Sequence, residues 1–294
     1  MVPRVSVIIP AYNNGKLLGE TLEGIARQTL KDFEIIVVDD GSTDETGAVV
    51  KTFDPAIIYI YQSNKGPAAA RNKGVSLARA ELIAFCDHDD IWLPYHLQGL
   101  TEALLARPGP VLVFDNAEYF KTGQPTRRAH LDAKSAHLLS RSPVSARDLL
   151  WENPIASMSN VVVVKAIFEK FGGLSEKVGV IDDFHFYLRM AAAGMVRFVD
   201  YVGVRKRIGD NNLSGLVNLK ENNILYLEDI WRNYPEVVRH TGRLSFRFRL
   251  ARKYFKLGRS YLAAGDKDAA RRMFRRAYGV NFMNPRYFWY TLAG

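Results

Sequence analysis

The residues best able to do chemistry sit at the ends of short apolar runs. Leu82 to Cys86 is such a run, and it ends in Asp87-His88-Asp89-Asp90. Two carboxylates one residue apart at a strand tip repel each other unless a cation lies between them. An all-oxygen donor pair favours Mg²⁺ or Mn²⁺, which commonly hold substrate phosphates through one or two carboxylates. A helix cap before Leu93-Pro94 would need only one carboxylate, yet three of these four residues are acidic. His88 is expected to point away from the cation. Asp39-Asp40-Gly41-Ser42 reads either as an ordinary turn or as a carboxylate accepting from a nucleobase N–H. In Asn64-Lys65-Gly66-Pro67-Ala68-Ala69-Ala70-Arg71-Asn72, small residues let a ligand approach a helix start, with Arg71 one turn further in. Asp182-Asp183 opens a helical stretch, where carboxylates either cap the helix and offset its dipole or act as a base. Neither a Gly-x-Gly-x-x-Gly nor a Gly-Lys-Ser/Thr loop occurs, which disfavours dinucleotide oxidoreductases and loop-type ATPases.

These groups need a frame. Val5 to Pro10, Phe33 to Val38, Ile57 to Tyr61 and Leu82 to Cys86 read as buried strands. Between them, Leu17 to Gln28 carries a helical apolar face, Thr43 or Asp44 can cap a second helix, and Pro67 suits the first turn of a third. Strands alternating with helices imply βαβ units and a mainly parallel sheet. In such sheets ligands bind beyond the carboxyl ends of the strands. Tyr12-Asn13, Asp39-Asp40, Gln62-Ser63-Asn64 and Asp87 to Asp90 should therefore converge on one edge. Further on, Val111 to Phe114, Asn160 to Val164 and Phe198 to Val204 read as strands. Asp182 to Ala193 reads as a helix stopped by Gly194, and Lys121 to Ser142 as a polar surface excursion.

From about Leu216 the pattern is helical. Leu244, Phe248, Ala251, Phe255, Gly258 and Leu262 recur at helical spacing, and Ala270, Met273, Phe274 and Ala277 continue it after Gly265-Asp266. Tyr254-x-x-Leu257-Gly258-x-x-Tyr261 followed by Ala270-x-x-x-Phe274 resembles one tetratricopeptide unit, present once. The chain has 294 residues, 48% of them hydrophobic, and a formal net charge of +9. That excess is local. Residues 217–294 hold 16 Lys+Arg against 6 Asp+Glu, leaving 24 and 25 for the remainder. Such asymmetry points to an anionic partner or to a solvated basic face. A single cysteine, Cys86, excludes a disulfide within the chain and a cysteine-based zinc site. No secretory leader is expected from Met1-Val2-Pro3-Arg4, and no run is long enough to span a bilayer.

In order and spacing, residues 5–14, 37–44, 64–72 and 85–90 resemble the family 2 glycosyltransferases of the GT-A fold. The likeness covers roughly residues 4 to 215. It implies a GT-A-type mixed, mainly parallel sheet flanked by helices, with a C-terminal all-helical extension. It divides the chain into a catalytic domain, 1–215, with a nucleotide-sugar half at 1–107 and an acceptor half at 108–215, and a basic extension, 216–294. By this likeness Tyr12 and Asp40 hold the donor base, with Pro10, Asp39 and Arg71 nearby. Asp87 and Asp89 match the Asp-x-Asp pair that binds ribose and the Mn²⁺- or Mg²⁺-bound diphosphate. Asp183 matches the catalytic base, with Asp182 beside it. Many members carry a His just before an Asn-x-Ser motif. Here Val204-Arg205-Lys206-Arg207 leads to Asn212-Leu213-Ser214 with no His, so Arg207 or Lys206 is the expected source of positive charge. The Gln-x-x-Arg-Trp motif of processive members is missing.

The implied activity is inverting, metal-dependent transfer of one sugar from a nucleotide-sugar donor, UDP-linked by preference, to a glycan or lipid-linked acceptor. Residues 115 to 160 are expected to form the acceptor pocket. A sugar nucleotidyltransferase would share the sheet and the cation, but Tyr12-Asn13-Asn14-Gly15 does not supply its Gly-rich, basic loop. A non-enzymatic nucleic-acid-binding protein would use the basic tail, but no nucleic-acid-binding module is recognisable. The expected location is the cytoplasm, peripheral at the inner membrane face. The tail would attach there through the apolar stripe and flanking cations of Phe246 to Tyr261.

Overall fold

A computed structural model describes residues 2–106, 109–124, 128–178, 181–209 and 219–293. Nine strands among them form one sheet. The leading strands are β1 (Val5–Ala11), β2 (Phe33–Asp39), β3 (Ile58–Tyr61) and β4 (Leu82–Phe85). They lie side by side in the order β3-β2-β1-β4, all parallel. Helices α1 (Gly15–Ala26), α2 (Thr46–Phe53) and α3 (Pro67–Leu77) make the crossovers. Parallel register brings all four carboxyl ends to one edge, as expected from the alternation of elements.

The second half continues the sheet in mixed sense. After β5 (Ile91–Trp92) and α4 (His96–Leu105) come β6 (Leu112–Phe120), β7 (Arg128–Ala129), α5 (Ala133–Ser140) and α6 (Ala146–Trp151). A 3₁₀ turn, Met158–Asn160, leads into β8 (Val161–Val164), and α7 (Lys165–Lys170), α8 (Asp182–Ala193) and β9 (Val196–Arg207) follow. β8 runs antiparallel to both β4 and β6, β6 runs parallel to β9, and β5 pairs antiparallel with β9. The polar stretch at 121–142 is not a bare excursion. It holds β7, paired with β6, and α5, which buries Ala136. Polar composition hid α5 because only one helical position there faces the core.

Alternation along the strands makes two cores. Ile8, Ile36, Val38, Ile83 and Phe85 face one side, and Val5, Val7, Ile9, Val37 and Ala84 face the other, with α1 and α4. Fully burying each large aliphatic side chain contributes about 1.5–3 kcal/mol.

The tail comprises α9 (Leu219–Asn233), α10 (Pro235–Thr241), α11 (Arg243–Ala263), α12 (Lys267–Val280) and α13 (Pro285–Ala293). α11 and α12 form the expected hairpin. Gly258 lies against Phe274 so closely that an added Cβ would stand 2.7 Å from the ring. The tail does not stand apart. Tyr226, Leu227, Ile230, Val237, Phe246 and Leu250 belong to the same core as Phe186, Leu188 and Phe85. The division near residue 215, like the Asn212-Leu213-Ser214 motif, lies outside the described residues. The Phe246–Tyr261 stripe is corrected. Phe246, Leu250, Ala251, Tyr254, Leu257 and Gly258 are buried, so most of the apolar residues of this helix are core, while Leu244 and Phe248 of the expected stripe stay exposed. Periodicity identifies an apolar face but not what covers it.

Candidate active site

The strand ends meet through their own hydrogen bonds. Asp40 N donates to Ala11 O at 2.8 Å and Gln62 N to Asp39 O at 2.9 Å. Asp39 accepts from Ser42 N at 2.8 Å and from the Tyr59 hydroxyl at 2.6 Å. Asp40 accepts from Gln62 Nε2, Lys65 N and Gly66 N at 2.8, 2.9 and 2.7 Å. Both carboxylates are buried, and they tie the turn after β2 to the loop before α3. Gly66 has φ +89°, which a side chain would strain, and this lets its N–H reach Asp40 at the helix start. Tyr12 stands at the mouth with its ring 47% exposed, free to meet a planar ligand. Pro10 is buried, and its carbonyl accepts from His88 Nδ1 at 3.0 Å. That bond occupies one ring nitrogen, and the ring still acts on the Asp87 and Asp89 charges.

Arg71 joins two regions that are far apart in sequence. Its guanidinium donates to Asp87 Oδ1 at 2.6 Å and to Asp182 Oδ2 at 3.2 Å. The tip of β4 is thereby clamped to the start of α8. Burial opposes charge on Asp87, but the Arg71 guanidinium outweighs it and holds the carboxyl below its usual range. Asp182 is buried and raised, by burial first, with Arg71 only partly offsetting. Asp183 is half-buried at the helix start, and its Oδ1 accepts from Phe184 N at 2.6 Å. Burial, and then the Asp182 charge, push its pKa up to about 6. A carboxylate with that pKa is a stronger base than a solvated one and remains ionised at neutral pH. Tyr187, one helical turn on, is buried with its hydroxyl unpartnered among the described residues. Burial and the Asp183 charge raise it far above its ordinary pKa, so it stays a donor beside the base.

Sequence reasoning missed the lock beneath the Asp-x-Asp turn. Asp90 is buried, and its carboxylate accepts from Ser159 Oγ at 2.7 Å, Ser157 Oγ at 3.3 Å and Arg207 N at 3.1 Å. Ser159 Oγ in turn accepts from Asp87 N at 2.9 Å. One buried hydroxyl thus holds both ends of the turn, and Trp92 Nε1 fixes its backbone at 2.9 Å. Burial and the neighbouring Asp89 and Asp87 charges raise Asp90 to about 7 despite Lys206. The only sequence signal was three polar residues, Ser157, Ser159 and Asn160, leading into the apolar run of β8.

The structure separates the two expected cations. The Arg207 guanidinium is engaged by Glu20 at 2.7 Å, the Asp89 backbone carbonyl at 3.0 Å and the Thr122 hydroxyl. It braces the turn from behind. Lys206 donates to Ala156 O at 3.0 Å. Burial disfavours its charge, but Asp90, Asp87 and Asp183 outweigh that and keep it protonated. Lys206 therefore joins Arg71 as a cation acting on the cluster.

Among the described residues Asp89 makes no side-chain hydrogen bond to another residue, and burial with the Asp87 charge raises its pKa against the pull of His88. A divalent cation would offset that repulsion, and two carboxylates suit Mg²⁺ or Mn²⁺ completed by diphosphate and water. No group of three or more ligand side chains occurs among the described residues. Asp87 and Asp89 are the residues that would hold such an ion.

A parallel-led sheet whose carboxyl edge carries this acidic cluster has the architecture of GT-A fold glycosyltransferases. Residues 6–172 match the model of Glycosyl transferase family 2, and the chain belongs to that family. It is 39% identical over 119 residues to glycosyltransferase GlyG of Streptococcus pneumoniae, a match covering 39% of this chain and 40% of that protein. It is 45% identical over 115 residues to validoxylamine A glucosyltransferase of Streptomyces hygroscopicus, covering 37% of this chain and 26% of the relative. The matched segment thus spans well under half the length of these relatives. Among solved structures, Staphylococcus aureus TarS 1–349 in complex with UDP-GlcNAc superposes with TM-score 0.67 at 17% identity, covering 94% and 83% of the two chains. Mannosyltransferase PcManGT of Pyrobaculum calidifontis, in complex with GDP-Man and Mn²⁺, gives 0.59 at 20% identity, covering 99% and 84%.

Proposed function

We propose that this chain transfers a single sugar, with inversion, from a nucleotide-sugar donor to an acceptor hydroxyl. The product would feed a cell-surface polysaccharide or other glycan. The observation that carries this reading is the Arg71 bridge, which sets Asp183 beside the Asp87–Asp89 edge. This supports a base and a phosphate-binding pair acting on one substrate.

The donor base would lie over Tyr12, against the turn shaped by Asp39, Asp40 and Pro10. The diphosphate would lie toward Asp87 and Asp89. A bound Mn²⁺ or Mg²⁺ would supply charge neutralisation for the leaving diphosphate. Asp183 removes the acceptor hydroxyl's proton as that oxygen attacks the anomeric carbon. Lys206, held by Ala156 O, adds fixed positive charge where negative charge develops. One displacement by one base inverts the anomeric centre without a covalent intermediate. UDP and GDP sugars in the TarS and PcManGT complexes support a nucleotide-sugar donor; a UDP-sugar is favoured. The acceptor is a glycan or lipid-linked sugar, and the enzyme works in the cytoplasm at the inner membrane face.

The test is a panel of nucleotide sugars with and without Mn²⁺, scored for the released product. Nucleoside diphosphate is expected. Pyrophosphate would instead indicate a nucleotidyltransferase, and no turnover of any donor would remove the enzymatic reading.

A further inference from the structure

With most of the α11 stripe buried and Leu244 and Phe248 its exposed remainder, the densest exposed apolar surface of the tail lies nearer its end. Phe282, Met283, Phe288 and Trp289 are 61%, 70%, 42% and 66% exposed within eight residues of sequence. α13 carries two aromatic faces. Tyr287 and Tyr290 turn inward, with ring centroids 5.0 and 4.9 Å from Phe255. Phe288 and Trp289 turn outward, 6.0 Å apart, with Phe288 also 5.5 Å from Tyr278. The inner face holds the outer one in place, so this is a built surface and not a frayed end. The Arg247 guanidinium lies 5.9 Å over the Phe282 ring, and Arg286 is exposed.

The charge of this region is one-sided. From Ala269 onward there are five arginines and no acidic residue. Arg271, Arg272, Arg275 and Arg276 lie on exposed positions of α12, while Ala270, Phe274 and Ala277 are buried. We propose that Phe282, Met283, Phe288 and Trp289 insert into the headgroup layer of an anionic lipid bilayer, with Arg286 and the α12 arginines against its phosphates. Exposed Phe and Trp beside Arg is the composition of helices that lie in the lipid interface. Basic residues near an anionic leaflet add attraction that salt screens. Arg276 pairs with Glu228 at 3.3 Å, but a second copy of the chain fits less well, because it would bring Arg271, Arg272, Arg275 and Arg286 face to face with their like. No helix among the described residues is long and apolar enough to cross a membrane, so attachment would be peripheral. This inference rests on the membrane-side location proposed above and moves the attachment from α11 to α13.

The experiment is co-sedimentation of nuclease-treated full chain with phosphatidylcholine vesicles, with and without phosphatidylglycerol, at low and high salt. Trp289 fluorescence is read in parallel. Wild type should pellet with anionic vesicles at low salt, and its emission should shift to the blue. Phe282→Ser, Met283→Ser, Phe288→Ser and Trp289→Ser together should lower binding at least tenfold. Leu105→Ser, at an exposed site on α4, should not. Donor hydrolysis is measured on the same samples and should be equal in all variants. If donor hydrolysis is missing while vesicle binding persists, the enzymatic reading fails and this surface stands. Wild type remaining in the supernatant at low salt would overturn the proposal. So would the fourfold variant pelleting like wild type, or its losing self-association in ultracentrifugation without any change in vesicle binding.

Discussion

Replacing Asp183 by Asn tests the base on two independent axes. The substitution keeps shape and removes both charge and basicity. In catalysis, a general base typically contributes about 10²–10⁴-fold, so kcat should fall by that factor while donor KM stays near wild type. In stability, the direction is opposite. Burial and Asp182 raise Asp183 from 3.8 to about 6. The folded state therefore holds this proton more tightly than the unfolded chain does. Below about pH 4 both states are protonated and the site costs nothing. Between pH 4 and 6 the unfolded chain releases its proton first, so ionising Asp183 penalises the fold increasingly, and the penalty is constant above pH 6. A shift of about two units corresponds to roughly 3 kcal/mol at 1.36 kcal/mol per unit. Part of that is offset in the variant, because Phe184 N loses a charged acceptor. Asp183→Asn should thus be more stable than wild type at pH 8, by at most about 3 kcal/mol or several degrees in Tm, and equal to it near pH 4. The assays are single-turnover transfer and thermal unfolding across pH 4–8. Transfer within threefold of wild type would refute Asp183 as the base. A stability gap that does not open between pH 4 and 6 would refute the strained carboxylate.

Other expectations follow from the same geometry. The wild-type pH–kcat profile should rise through about pH 6 as Asp183 deprotonates, with the Asp183→Asn variant lacking that limb. Asp89→Ala should abolish transfer with little change in Tm, because Asp89 bonds no other side chain among the described residues, and equal wild-type turnover in excess EDTA would remove the cation. Ser159→Ala leaves Asp87 N without its partner and takes one donor from Asp90. It should cost about 1–3 kcal/mol and raise the Mn²⁺ concentration needed for half-activity, and an unchanged Mn²⁺ titration would deny it the positioning role. Arg71→Met leaves Asp87 and Asp182 as uncompensated buried charges, about 3–5 kcal/mol of destabilisation at neutral pH, with Tm recovering toward acid as the carboxylates protonate.

Local chemistry was legible from residues alone. Apolar runs ended by Pro10, Asp39, Gln62 and Asp87 specify four strands and their tips, since a strand and its turn are decided within a few neighbours. The helix from Asp182 to Ala193 was readable at both ends, because acidic residues open it and Gly194 closes it. Alternation of these elements then forces the strand tips onto one edge, whatever the long-range detail. Partnership was not legible. Arg71 and Asp182 are 111 residues apart, Asp90 and Ser159 are 69 apart, and the Arg207 guanidinium reaches Glu20 across 187. Nothing in the run Lys206-Arg207 says which cation faces the acidic cluster. The strand's pleat decides it, sending adjacent side chains to opposite faces. The α11 stripe shows the same limit. Spacing groups Leu244, Phe248, Ala251, Phe255 and Gly258 on one face, but the packing of α9, α10 and α12 makes core of Phe246, Leu250, Tyr254 and Leu257 and leaves Leu244 and Phe248 exposed. Burial is a property of the assembled chain, so what remains outside to meet a partner, Phe282 to Trp289, emerges only once the fold has covered the rest.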